Sequence, residues 1–296
     1  MKVAEFEINV TGKHLKIASV AEEWEKDITN PEQLVSEIKK NKIGADIFTF
    51  WQRPPHTEPK YHYHMELDDI AALQITSFKE WWEKKLDSKN RNVARKAEKK
   101  GVKIEITNFD DELVKGIVNI YNETPVRQNK PFWHYGKDFE TVKRENSTYL
   151  ENSEFICAYY DNELIGFIRL LYGERTARTV QIIALLRDRD KAVTNALIAK
   201  AVEQCEKKDI PYLVYAHWPR GSLAEFKKNN GFEKVEVPRY FVPLTIKGRI
   251  ALQLKLHRGV KRFIPENAVQ RLIDLRTKWY GKKQTPIDNA RSAQDK

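Results

Sequence analysis

Apolar residues recur along the first hundred positions with two spacings, every second residue and roughly every 3.6 residues. Positions 2–20 alternate and break at Thr11-Gly12, which predicts a β-hairpin. Asn30-Pro31 then opens a helical pattern that ends near Gly44. Two further strands follow at 45–53 and 61–75, and a long helical stretch with a break at Asp87-Ser88 follows at 78–100.

The pattern after Gly101 places strands and helices in a more specific order. The predicted strands are 102–106, 154–160, 164–171, 179–186, 212–216, 232–237 and 240–244. The predicted helices are 110–122, 137–145, 194–207 and 222–230. Strands and helices are interleaved without a repeat of fixed length, so the chain is predicted to be an α/β protein with a mixed sheet.

Composition narrows the class of protein. Hydrophobic residues make up 41% of the 296 positions and aromatic residues 11%, which is enough to bury a core. Only Cys157 and Cys205 occur, too few for a disulfide framework or a cysteine-built zinc site. No apolar run approaches the roughly 18 residues of a membrane span, and the start lacks the apolar stretch of a signal peptide. The sequence therefore predicts a soluble, cytoplasmic protein.

The net charge of +10 is concentrated in two places. From Lys247 to the end there are 13 Lys and Arg against 4 Asp and Glu, and residues 84–103 carry nine basic residues against Asp87 and Glu98. Basic patches attract the phosphates of nucleic acid, lipid or a cofactor, or else form a solvated face. Apolar residues lie among the tail's cations, so the tail is predicted to rest on an anionic membrane, to bind nucleic acid or to pack its apolar face on the protein.

One predicted strand runs through a short charged loop directly into a helix at 186–197. Such a junction presents free backbone N–H groups and the positive end of the helix dipole, which suit a phosphate. The alternative is an ordinary charged turn. The candidate phosphate-binding residues are Arg187, Arg189, Lys191, Thr194 and Asn195.

A second cluster of polar and aromatic residues lies between the predicted helices 110–122 and 137–145. Glu123 or His134 could take a proton from an attacking ammonium group, and Arg127 could hold an anion. Trp133 and Tyr135 are candidate substrate-binding residues. The alternative is a loop held in place by buried aromatic rings, with a structural histidine.

Alternating histidines raise the question of a metal. His62 and His64 face the same side of a predicted strand, and with Glu66 they form a possible ligand set. A sheet face lined by histidine and tyrosine is the favoured interpretation, so no metal is expected. P-loop, nucleophile-elbow and zincin motifs do not occur.

The element order and two segments resemble the GNAT superfamily of acyl-CoA N-acyltransferases. Arg189 fits the first position of that family's phosphate loop, in which Ala192 and Thr194 stand where the family has glycines. Ser222–Phe232 is similar to the last helix and following strand, with Lys227 where many members have a general-acid tyrosine. With Asn195-Ala196-Leu197 and the 84–101 stretch, the resemblance is closest to the FemAB branch and covers about 45–245.

The resemblance implies three units and a reaction. The first unit, 1–100, is a smaller half or degenerate GNAT-like domain. The second, 101–245, has the GNAT-like acyltransferase fold, and the third, 246–296, is a basic amphipathic segment. The implied function is transfer of an acyl or aminoacyl group from a thioester or ester, with acyl-CoA as donor, to a primary amine of a cell-envelope or polysaccharide precursor. Backbone N–H groups near the end of strand 179–186 would stabilise the oxyanion.

A different class of function stays open on the same residues. The two replaced glycines and the replaced tyrosine favour a degenerate, non-catalytic module that binds anionic membrane or nucleic acid through its basic surfaces, with nucleic acid the less favoured partner. A substrate of the cell envelope would place the protein in the cytoplasm at the inner face of the membrane.

Overall fold

A computed structural model describes residues 1–21, 23, 28–128 and 130–258. The strands are β1 Lys2–Val3, β2 Phe6–Thr11, β3 Ile17–Val20, β4 Ile47–Trp51, β5 His64–Gln74, β6 Lys103–Thr107, β7 Val126–Arg127, β8 Lys130–Pro131, β9 Ser153–Tyr160, β10 Glu163–Tyr172, β11 Thr176–Ala184, β12 Tyr212–His217 and β13 Glu233–Pro243. The α-helices are α1 Pro31–Asn41, α2 Phe78–Glu80, α3 Ser88–Ala94, α4 Lys96–Lys99, α5 Asp111–Tyr121, α6 Phe139–Asn146, α7 Val193–Lys207, α8 Ser222–Asn229 and α9 Ile246–Gln253.

Eleven strands form one mixed sheet in the order β1-β2-β3-β4-β13-β5-β12-β11-β10-β9-β6. The pairs β3–β4 and β11–β12 are parallel and the other neighbours are antiparallel. The predicted mixed α/β class is therefore confirmed. The prediction of two strands at 232–237 and 240–244 is wrong, because β13 runs unbroken through Pro238 between β4 and β5.

The predicted long helical stretch at 78–100 is broken where the sequence indicated. A π-helical turn at Trp81–Lys85 follows α2, and Asp87 caps α3 by accepting a hydrogen bond from the N–H of Asn90 at 2.7 Å. The Trp81 ring is buried, and its Nε1 donates to the carbonyl oxygen of Asn230 at 3.0 Å. The segment is thereby fastened to the end of α8.

Two main cores lie along the sheet, and their division bears on the predicted units. The smaller core joins β2–β4, α1 and the last part of β13, with Phe48 and Tyr240 fully buried. The larger core includes Leu73, Trp81 and Ala97, which come before residue 101, together with the residues of β9, β10 and α7. The division at 1–100, 101–245 and 246–296 stays a prediction, although packing is continuous across residue 100.

The C-terminal segment predicted to be basic and amphipathic is described as far as Arg258. Its α9 packs Ala251 and Leu252 against Ile47 and Phe241. The rest of the predicted amphipathic segment, 259–296, lies outside the described residues. Among the helices that are described, none combines the length and apolar character required to cross a membrane.

Candidate functional site

The central feature of the site is the divergence of two parallel neighbours in the sheet. β11 and β12 pair only at their beginnings, where Thr176–Arg178 lies opposite Tyr212–Val214. Beyond that point β11 continues alongside β10 as far as Ala184, while β12 turns away with Ala216 in the left-handed region at φ 51°. Both strands lie wholly within the described residues, so residues 179–184 of β11 have no β12 partner. The two strands form an open wedge.

The open end of the wedge leads to the start of α7. Ala192 precedes the helix in the left-handed conformation, φ 55° and ψ 37°, which is the conformation that glycine adopts without strain. No side chain among the described residues caps the first turn of α7, so the N–H groups of Val193 and Thr194 and the positive dipole end are available to an anion. Gly166 lets the start of α7 lie close to the end of β11, because a Cβ on residue 166 would be 2.7 Å from Val193 and 2.9 Å from Ala184.

The predicted phosphate-binding cations differ in their availability. Arg187 is paired with Glu163 and also lies 3.5 Å from Asp188. Lys191 is 2.5 Å from the buried Asp188 carboxylate. Arg189 is exposed, and its side chain has no hydrogen bond or ion pair with the described part of the chain. Within the part of the chain that the structure describes, only Arg189 among the three predicted cations keeps an unpaired charge beside the start of α7.

The two predicted polar residues of α7 have different surroundings. Asn195 donates from Nδ2 to Oδ1 of Asn230 at 3.1 Å, which ties the helix to the end of α8. Thr194 lies in the first turn of α7 and is half-buried. Thr194 is therefore placed with the free N–H groups, whereas Asn195 already has a partner.

Glu123 and Arg127 hold the end of β11 and the loop that follows it. Glu123 accepts hydrogen bonds from the N–H groups of Leu186 at 2.8 Å and Arg187 at 3.0 Å. Arg127 donates to Glu123 at 2.8 Å and to the carbonyl oxygen of Ala184 at 2.8 Å. The structure thus joins the two clusters that the sequence suggested separately. The Glu123 carboxylate accepts from three donors, Arg127 and the two N–H groups, and its role as a base stays a prediction.

His134 lies beside the wedge through an aromatic neighbour. Its ring is buried and stands 4.1 Å from the ring of Tyr121, whose hydroxyl donates to Gln181 on the unpaired part of β11 at 2.8 Å. Burial, and then the charge of Lys137, lowers the pKa of His134 to about 4, so the imidazole is neutral at physiological pH. Tyr121 and Gln181 are contacts that sequence reasoning missed, since their pairing joins positions 60 residues apart.

The two predicted substrate-binding aromatics are on the outer surface of the same loop. Trp133 is 71% exposed and Tyr135 is 48% exposed. The ammonium group of Lys137 stands 3.7 Å from the centre of the Trp133 ring. Trp133 and Tyr135 are therefore accessible to a substrate, and their role in substrate binding stays a prediction.

Lys227 is the site residue whose importance the sequence understated. It is 2% exposed on α8, and its Nζ donates to the carbonyl oxygens of Tyr215 and, at 3.0 Å, His217. Both carbonyls belong to the part of β12 that has separated from β11. Burial lowers the pKa of Lys227 to about 8. A buried amine that titrates near physiological pH is a group typical of catalytic sites.

The histidines considered as metal ligands are arranged differently from the ligand set that the sequence suggested as one possibility. His64 and Glu66 are joined by His257 rather than by His62, and the three ligand atoms lie within 4.8 Å of one another. Arg258 donates to both oxygens of Glu66, at 2.6 and 2.8 Å. The guanidinium group therefore occupies the carboxylate that a metal would need.

Comparisons with known proteins identify the fold. No protein-family model matches the sequence, and no curated protein sequence matches it. Among solved structures, the C-terminal domain of an Agrobacterium fabrum protein named as a lysylphosphatidylglycerol synthetase aligns with a TM-score of 0.56 at 12% identity, covering 83% of each chain. L-PGS from Bacillus licheniformis aligns at 0.55 and 13%, covering 79% of this chain and 80% of that one. FemX aligns at 0.55 and 10%, covering 84% and 86%. At these identities the likeness concerns the fold, and the chain has the GNAT-like acyltransferase fold that these structures share.

Proposed function

We propose that this protein transfers an acyl or aminoacyl group from a thioester or ester donor to a primary amine. The observation that carries the proposal is the wedge between β11 and β12, which opens onto the uncapped first turn of α7. The unpaired edge of β11 offers backbone hydrogen bonds to an extended donor, and the helix end offers N–H groups to its phosphates. An acceptor amine on a cell-envelope or polysaccharide precursor is part of the proposal. The fold neighbour lysylphosphatidylglycerol synthetase supports the envelope precursor, because it is named for making a phospholipid.

The chain's own residues fit an acyl-CoA donor. Arg189 supplies a free positive charge, and the N–H groups of Val193 and Thr194 stand at the start of α7. Ala192, which stands where the family has a glycine, has the left-handed backbone that a glycine adopts without strain. Glu123 and Arg127 hold the loop in position, and we propose that they do so for donor binding.

The proposed reaction forms a C–N bond as the donor's C–S or C–O bond breaks. The amine must attack in its neutral form, so its proton passes to a nearby base, for which His134 and Glu123 are the candidates. The Lys227 ammonium, which α8 holds against the separated half of β12, would give a proton to the departing sulfur or oxygen. N–H groups near the end of β11 would stabilise the oxyanion.

Donor binding is tested by calorimetric titration of the full chain with acetyl-CoA. We expect saturable one-to-one binding that Arg189→Glu weakens at least about tenfold, since a free cation becomes an anion. Arg144→Glu, an exposed charge reversal on α6, is the matched control and should have little effect. If acetyl-CoA fails to bind and an aminoacyl-tRNA binds instead, the CoA donor is refuted. If neither binds, the transferase itself is refuted.

The base is tested by turnover once a donor has been identified. His134→Ala should lower kcat and leave donor affinity unchanged. Glu123→Gln should weaken donor affinity if its main role is to hold the loop, and should lower only kcat if it is the base. A loss of donor affinity in His134→Ala would contradict the assignment of His134.

A non-catalytic binding module is the second candidate function. Arg187 and Lys191 are paired with carboxylates, so these two cations are not free to bind the phosphates of a donor. This pairing favours the non-catalytic module over the transferase. Binding to nucleic acid would weaken steeply with rising salt. Acyl transfer to any amine by the purified protein would exclude this candidate.

A further inference from the structure

The exposed face of α9 carries apolar residues where a surface helix usually carries polar ones. Ile246, Ile250 and Leu254 follow one another at every fourth position and are 77%, 49% and 61% exposed. We call these three residues the α9 stripe. Side chains four apart on a helix lie above one another, so the stripe is one continuous apolar surface.

α9 is firmly docked by its opposite face, so the exposure of the stripe is not a sign of a loose helix. Gly248 lies against Asp46 so closely that a Cβ there would be 1.9 Å from the carbonyl oxygen of Asp46. The carboxylate of Asp46 accepts a hydrogen bond from the Thr245 hydroxyl at 3.0 Å and lies 3.2 Å from the Lys247 ammonium. Leu252 fills the contact with the sheet. The stripe is therefore presented outward by a fixed scaffold.

A shallow apolar groove adjoins the stripe and enlarges the surface. Its volume is about 450 Å³, and it is lined by Leu15, Ile250 and Leu256 among others. Leu256 is itself 46% exposed. Aliphatic side chains of this kind can enter the hydrocarbon boundary of a bilayer.

The segment that carries the stripe has only positive charges of its own, and within the described residues two of its four cations have no ion pair. Arg249 flanks the stripe on one side of the helix and Lys255 follows it, and these are the two cations without an ion pair. Lys247 on the other side is paired with Asp46, and Arg258 is paired with Glu66. Residues 246–258 contain four Lys and Arg and no Asp or Glu. The charges of Arg249 and Lys255 beside an aliphatic centre are complementary to an anionic lipid surface. Single-stranded nucleic acid fits less well, because its bases stack on aromatic rings and the stripe has none.

We propose that the α9 stripe docks this protein on an anionic phospholipid bilayer. The aliphatic side chains enter the headgroup boundary, and the flanking cations lie at the level of the lipid phosphates. The proposal is independent of the acyltransfer reaction, since neither the wedge nor Lys227 takes part in it.

The test is flotation of the full chain with vesicles of phosphatidylcholine containing phosphatidylglycerol, beside vesicles of phosphatidylcholine alone. We expect binding to the anionic vesicles, weaker binding to the neutral ones, and loss of binding as salt rises. The double variant Ile246→Gln/Ile250→Gln should weaken anionic-vesicle binding at least about tenfold. Ile106→Gln is the control, because Ile106, on the edge strand β6, is 50% exposed and so matches Ile250 at 49%.

Other occupants of the stripe give different results. Equal binding to both vesicles, or full binding by the double variant, overturns the proposal. If the chain's own residues 259–296 cover the stripe, vesicles fail to bind and the double variant melts at a clearly lower temperature. If the surface binds RNA, a gel shift with homopolymer RNA is abolished by Arg249→Glu/Lys255→Glu and unchanged by the double variant. Either result also overturns the proposal.

Discussion

The buried amine of Lys227 makes the stability of this protein depend on alkaline pH in a way that can be calculated. Its pKa falls from 10.5 to about 8 because the side chain is buried without a carboxylate among its hydrogen-bond partners in the described residues. The unfolded chain therefore binds the proton more tightly than the folded one between these two values. The free energy of unfolding must rise with pH across this range.

The size of the effect follows from the two pKa values. A difference of about 2.5 units corresponds to about 3 kcal/mol when the whole range is crossed. Between pH 7.0 and pH 9.5 most of that range is covered, which amounts to about 2 kcal/mol. Lys227→Met removes the ionisable group and keeps the length of the side chain, so this contribution disappears.

The assay is urea unfolding of the wild-type protein and two variants at both pH values. Other lysines and tyrosines titrate in the same range, so the measured quantity is the difference between wild type and variant. That difference should change by about 2 kcal/mol between the two pH values for Lys227→Met. Lys228→Met is the control, because Lys228 is exposed on the same helix and its difference should stay constant.

Two outcomes would refute the reasoning. A Lys227→Met difference that does not change with pH would show that the amine is well solvated or is protonated equally in both states. The same change for Lys228→Met would show that the effect does not come from burial. In an active preparation, the pH profile of kcat should also have a limb near 8 that Lys227→Met removes.

Three further predictions concern local features. Ala192→Gly should raise the free energy of unfolding, measured by urea titration, by about 1 kcal/mol, because glycine adopts the left-handed conformation without strain. Ala199→Gly, inside α7, is the control and should lower the free energy of unfolding by about 1 kcal/mol. Gly248→Ala should lower the melting temperature, since its Cβ meets the carbonyl oxygen of Asp46; an unchanged temperature would show that α9 is not docked as described. Between pH 7 and pH 5 the free energy of unfolding should fall by about 2 kcal/mol more in the wild type than in His134→Gln. Folding favours the neutral form of His134, so the stability falls as the pH drops below 6.5 towards 4. Equal losses in the two proteins would contradict a buried neutral imidazole.

Much of the fold was predictable because its signals are local. The apolar spacing predicted a helix over 110–122, and α5 spans Asp111–Tyr121 with Asp110 as its cap. Similarly, α7 begins one residue before its predicted start at 194. The prediction of two strands around Pro238 failed because proline is a local signal of interruption, whereas pairing with β4 and β5 on both sides keeps β13 continuous.

Half of the site was predictable for the same reason. A strand, a charged loop and a helix in succession place N–H groups and cations together whatever the rest of the chain does, so the loop around Arg189 could be recognised. The engagement of Glu123 with Leu186 and Arg187 could not, because it joins segments more than 60 residues apart. Spacing along the chain carries no information about such a contact.

Local sequence was enough to predict the order of strands and helices, the mixed α/β class and the position of the charged loop, since each depends on residues within one or two turns of one another. The tertiary structure decided where β12 leaves β11, which loop cations are neutralised and how deeply Lys227 is buried. These properties depend on pairing and on exclusion of water by distant segments. For that reason residue type at Lys227 and Arg187 indicated a charge, and only packing showed whether the charge is free, paired or buried.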